Sequence, residues 1–77
     1  MISRTKLEIL EILKNKPSYG FEIGKKLNIT VSSIYKHLNY LKDENYIEVK
    51  AIKSKYERYK KIYGITKKGI KLLDILL

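Results

Sequence analysis

Five side chains within ITVSSIYKHLNYLKDENY, residues 29 to 46, have the types and spacing needed to recognise a surface by hydrogen bonding. Ser32, Ser33, Lys36, Asn39 and Tyr40 fall on one side of a helix of period 3.6, with no acid before Asp43. Val31, Ile34, Leu38 and Leu41 recur at intervals of three, four and three on the other side and predict a buried stripe. Lysine donates to guanine O6 or N7 and asparagine can bind adenine bidentately, so Lys36 and Asn39 are the side chains best suited to base edges. Tyr35 lies on one flank and His37 on the other. A helix that packs on its apolar side and offers donors on the other can enter a major groove. An ordinary solvated helix face has the same look, and from this segment alone that plainer reading is favoured, because most surface helices look polar.

A second group is cationic. KSKYERYKK, residues 53 to 61, is too polar to pack and predicts the tip of a β-hairpin. Its Lys53, Lys55, Arg58, Lys60 and Lys61 are suited to phosphates, and Arg58 also to a minor groove. Seven cations and one acid lie between Lys53 and Lys68, so six of the nine net positive charges sit in one-fifth of the chain. A net charge of +9 on 77 residues attracts polyanions. Fifteen of the seventeen cations are lysines, point charges that favour phosphate affinity over base reading.

Other chemistry is poorly supplied. There is no cysteine and one histidine, and no paired carboxylate marks a cleft. Neither an enzyme nor a cofactor or metal site is expected. No apolar run approaches the roughly 20 residues that cross a membrane, and Glu8 and Glu11 interrupt the only candidate for a secretory signal, so a cytoplasmic protein with no membrane partner is expected. His37 is expected to be structural or phosphate-adjacent ahead of acting as a pH sensor.

The elements that position these groups follow in order. Ser3 caps a helix from about Arg4 to Lys14, although Lys6 stands where a capping box has glutamate. Leu7, Leu10 and Leu13 form its stripe, and Ile9 and Ile12 widen it. Pro17 ends it. Residues 17 to 20 make a turn or short extended piece, and a short helix runs from about Phe21 to Leu27. Asn28 suits a left-handed helix end, and Thr30 caps the next helix, Val31 to Glu44. Residues 21 to 44 thus form a helix-turn-helix, for which a plain helical hairpin is the alternative. Ile47, Val49 and Ala51 alternate as a strand, and Ile62 to Ile65 form a second that starts near Tyr59. Thr66 caps a final apolar helix whose first turn holds Lys67, Lys68 and Gly69. Lysines there oppose the helix dipole, which points to another use such as phosphate contact.

The chain resembles the winged helix-turn-helix family, and within it PadR-type and MarR-type transcriptional regulators. YGFEIGKKL (19 to 27) is similar to the second-helix segment of PadR-type proteins. SSIYKHLNYLKDENYIE (32 to 48) is similar to their recognition helix running into the first wing strand. IYGITKKGIKLL (62 to 73) is similar to the second wing strand and the Thr-x-x-Gly start of the last helix. The resemblance covers roughly residues 7 to 73. It implies an α+β winged helix-turn-helix domain over residues 1 to 77, with a three-helix core, a β-hairpin wing and a C-terminal helix. It also implies that Tyr35 touches a phosphate or neighbouring base. Asn45 stands where the family usually has glycine, as a left-handed turn permits. PadR-type proteins commonly carry a further C-terminal region used in dimerisation. With Leu77 last, a homodimer is expected to use the first and last helices, through Ile9, Ile12, Leu72, Leu73 and Leu76.

The resulting expectation is a homodimeric transcriptional regulator that binds specific double-stranded DNA and represses by occluding a promoter. Helix 31 to 44 would lie in the major groove and the basic wing on phosphates or in the minor groove. A nonspecific nucleic-acid packaging protein and a winged-helix protein-interaction module are the alternatives, because fold does not dictate function.

Overall fold

Short polar side chains begin three of the four helices in the computed structural model, which describes residues 2–55 and 58–77, with side chains outside 53–60. Ser3 Oγ accepts from the Lys6 amide at 3.2 Å and starts α1, Arg4–Asn15. A two-residue strand β1, Ser18–Tyr19, leads into α2, Gly20–Leu27. Thr30 Oγ1 accepts from the Ser33 amide at 3.2 Å and starts α3, Val31–Asp43. The wing is β2, Ile47–Lys55, and β3, Arg58–Ile65, and Thr66 caps α4, Lys67–Leu76. The three strands form an antiparallel sheet in the order β1-β3-β2, which is the expected α+β arrangement of three-helix core, wing and final helix.

Both connections that leave a helix of the helix-turn-helix use asparagine at positive φ, 56° at Asn28 and 64° at Asn45. A short polar side chain tolerates this conformation at modest cost. After α2, the Asn28 amide donates to the Lys25 carbonyl and the Ile29 amide to the Gly24 carbonyl. After α3, the Asn45 amide donates to Lys42 and the Tyr46 amide to Leu41. Each turn therefore closes two carbonyls that a helix end would otherwise leave open.

Every helix, and both wing strands, supply the core. Ile9, Leu10 and Leu13 of α1 meet Ile23 of α2, Ile34, Leu38 and Leu41 of α3, Ile47 of β2, Tyr63 of β3 and Leu73 of α4. Val31 does not join them. At the first position of α3 it is 54% exposed, because that turn overhangs the core and borders a shallow cleft beside Phe21. The alternation in β2 also breaks. Val49 pairs with Tyr63 but Ala51 with Ile62, so Lys50 is an extra, bulged residue. The strands run further than the composition suggests, with Lys55 still in register with Arg58.

Two glycines differ in what they permit. A Cβ on Gly69 would fall on the Tyr46 carbonyl and lie 2.7 Å from Ile65 Cγ1. A Cβ on Gly24 would make ordinary contacts at 3.5 Å with Ile34 and the Ile29 carbonyl. Gly69→Ala is therefore expected to destabilise by about 1–3 kcal/mol or more, and Gly24→Ala to stabilise by up to about 1 kcal/mol through helix propensity. Urea midpoints of the two variants check this; a Gly69→Ala midpoint equal to wild type would refute the close approach.

Candidate nucleic-acid interface

Packing of Ile34, Leu38 and Leu41 into the core fixes the rotation of α3, and so fixes which residues it leaves outside. Ser32, Ser33, Lys36, Asn39 and Tyr40 are all exposed, on one continuous face. Tyr35 is half-buried on one flank. Its ring lies so close to Gly20 at the start of α2 that a Cβ there would sit 3.0 Å from the ring and from the hydroxyl. Tyr35 thereby holds α2 against α3, whatever else its edge touches. Burial, with Tyr35 nearby as the smaller cause, raises the pKa of the Tyr63 hydroxyl.

The opposite flank has a contributor that the sequence reading missed. Lys6, from α1, places its Nζ 3.1 Å from His37 Nδ1 and 4.8 Å from the centre of the Tyr40 ring. A lysine ammonium only donates, so Nδ1 is the acceptor and the imidazole is neutral in this arrangement. The signal available in the sequence was the lysine standing where a capping box has glutamate.

In the wing, Lys61 is exposed and pairs with Ile52. The ladder sets Lys53 opposite Lys60 and Lys55 opposite Arg58. The side chains of these four residues, all expected phosphate contacts, lie outside the described region. Lys68, by contrast, has an internal use. Its Nζ donates to the Glu44 carbonyl at 2.8 Å and sits 4.7 Å from the centre of the Tyr46 ring. A cation at the start of α4 thus serves the negative end of α3.

The expected dimer surface needs correction. Ile9 is fully buried and Leu73 is 2% exposed, because both complete the domain's own core. Ile12 and Leu72 are half-buried against it. Leu76, at 49% exposed, remains open, together with Ile75 and Leu77. Among the described residues no helix is long and apolar enough to cross a membrane.

Burial, and secondarily the Lys6 charge, lowers the His37 pKa from its ordinary 6.5. The unfolded chain therefore takes up this proton at a higher pH than the folded chain does. The stability contributed by neutral His37 is complete above pH 6.5 and is lost as pH falls through the lower folded value. Urea titrations at pH 7.5 and 5 should show a smaller loss of stability in His37→Gln than in the parent; equal losses would remove His37 as a contributor.

The chain matches the family model described as transcriptional regulator PadR-like family over residues 9–75. No curated protein matches the chain by sequence. Among solved structures, Bacillus subtilis PadR in complex with operator DNA aligns at a TM-score of 0.87 and 26% identity, over 100% of this chain and 49% of that one. A PadR-like transcriptional regulator from Bacillus cereus aligns at 0.78 and 31% identity, over 91% of this chain and 74% of that one. A PadR family regulator from Clostridium difficile shares the fold at 0.84 and 23% identity, over 96% and 83%. The chain thus spans about half the length of the Bacillus subtilis protein and about three-quarters or more of the other two. The family match extends from α1 through the helix-turn-helix and wing into α4, and the chain belongs to the PadR-like family of transcriptional regulators.

Proposed function

We propose that the chain is a homodimeric, sequence-specific double-stranded DNA-binding domain that represses transcription by covering a promoter. The observation that carries this reading is the outer face of α3. The core takes the apolar stripe, and what remains outside is Ser32, Ser33, Lys36, Asn39 and Tyr40, with no acid before Asp43. Such a helix enters the major groove, where Lys36 and Asn39 read base edges and the hydroxyls of Ser32, Ser33 and Tyr40 set register on base or phosphate oxygens. Bacillus subtilis PadR, which aligns with this chain, is seen in complex with operator DNA, and this supports DNA as the partner.

The wing adds affinity. The ladder register brings Lys53 and Lys60, and Lys55 and Arg58, to paired positions at the outer half of the hairpin, which concentrates cations there. These residues and Lys61 bind phosphates, or the minor groove through Arg58. Tyr35, held against α2, offers its outer edge to a phosphate or neighbouring base.

Dimerisation uses the open apolar residues of the last helix, Ile75 and Leu76, with Leu77, while Ile12 and Leu72 are half-buried against the core. In a twofold dimer the half-sites lie about one helical turn apart. Nonspecific packaging is the competing reading, and the lysine-rich composition favours it.

Selection from randomised duplex DNA at near-physiological salt is expected to enrich an inverted repeat. Salt-sensitive binding without enrichment would favour packaging instead. Asn39→Ala or Lys36→Ala should weaken binding to the selected site by about 1–3 kcal/mol while leaving random DNA little affected, and Lys61→Ala should weaken both alike. Equal losses on the two DNAs for Asn39→Ala would exclude it as a base reader. Leu76→Asp is expected to yield monomers in sedimentation, and a dimer that survives it would move the interface off the last helix.

A further inference from the structure

We propose that Lys6 of α1 and His37 of α3 together bind one phosphate of the DNA backbone, making α1 a third DNA-contacting element beside α3 and the wing. The proposal rests on the reading of α3 as a major-groove helix. A helix with its side chains is about 10–12 Å across and the major groove is about 12 Å wide, so a helix seated there brings both flanks against the sugar–phosphate walls. One flank of α3 carries Tyr35. The other carries Tyr40 and His37, and it is here that the Lys6 ammonium rests, 3.1 Å from the imidazole and 4.8 Å from the centre of the Tyr40 ring.

The position of Lys6 is otherwise unfavourable. It lies in the first turn of α1, where a cation opposes the helix dipole and where glutamate would have completed a capping box. Among the described residues no carboxylate pairs with it; the one ion pair there joins Lys14 to Asp74. An ammonium has three donors, and the contact with His37 leaves donors for an anion. From α1 the charged group that faces His37 is Lys6. On α3 the residues one turn away in either direction are Ser33, Ile34, Tyr40 and Leu41, and none of them is an acid. Two nitrogen-bearing side chains therefore converge on this flank, and among the described residues no carboxylate is paired with either.

A phosphodiester oxygen placed there accepts from Lys6 and offsets the charge that presses on the imidazole. As Lys6 turns to the phosphate, Nδ1 is released from its contact with the ammonium and can take up a proton, so that His37 donates to the same anion. Binding should accordingly draw a proton from solution and tighten as pH falls.

The test is the affinity of the full chain for duplex DNA, by fluorescence anisotropy, on both a selected site and a random sequence. Lys6→Gln should bind both DNAs more weakly, with a slope of log affinity against log salt less steep by about 0.9, as expected for one lost phosphate contact. Lys6→Arg should restore the slope. Between pH 7.5 and 5.5 the parent should tighten more than His37→Gln. Unchanged affinity and salt slope in Lys6→Gln would overturn the phosphate site while leaving α3 and the wing as DNA elements. A parent chain that binds no duplex at either pH would overturn the groove reading, and this site with it. Circular dichroism melts of each variant separate lost contacts from lost folding.

Discussion

One hydroxyl joins α3, the wing and the last helix. Thr66 Oγ1 accepts from the Gly69 amide, which starts α4, and donates to the Asn45 carbonyl at 2.7 Å, in the turn that ends α3. The Thr66 amide donates to the Tyr46 carbonyl beside it. Gly69 must lack a side chain because that same carbonyl occupies the space. Residues separated by about twenty positions are thereby held within a single hydrogen-bonded junction. The angle between α3 and the hairpin is set here, where the first wing strand leaves and the second returns. A major-groove helix and a backbone-contacting hairpin must keep a fixed relation to fit one duplex, so the junction supplies the rigidity on which the proposed interface depends.

Cations at helix starts show how one anomaly can have two outcomes. Lys68 and Lys6 both stand where the helix dipole disfavours them. Lys68 is answered from within by the carbonyl of Glu44 and the ring of Tyr46. Lys6 meets a neutral imidazole and a ring, whereas the Glu44 carbonyl that Lys68 meets lies at the negative end of the α3 dipole. In the proposed interface it is therefore Lys6, and not Lys68, that is left for an outside anion.

The order of elements was legible because the signals were local. Ser3, Thr30 and Thr66 cap within three residues, Asn28 and Asn45 turn the chain on their own torsions, and the stripe of Ile34, Leu38 and Leu41 sets the face of α3. Long-range relations were not legible. Helical period placed Val31 in the stripe, but the period cannot tell where a core ends, and the first turn of α3 overhangs it. Ile9 and Leu73 looked surplus to a small core until the facing helices were in place and closed over them. Lys6 joined the candidate interface only through a contact spanning thirty-one positions. Family resemblance supplied the domain type, and the family-model match over residues 9–75 carried it to the level of family membership.

The bulge at Lys50 acts as a phase shift between two parts of the hairpin. On its near side, Ile47 and Val49 keep step with the packed interior. On its far side, Ala51 and Ile52 are exposed and the ladder has advanced by one residue on one strand only. The arm beyond is thus decoupled in parity from the core. Matched additions of about two residues to each strand, one full side-chain period, would lengthen its reach and leave its facing intact, whereas loss of Lys50 would restore regular pairing and turn the arm over. The wing can therefore change length among related sequences without repacking the body, provided the single extra residue at its base is kept.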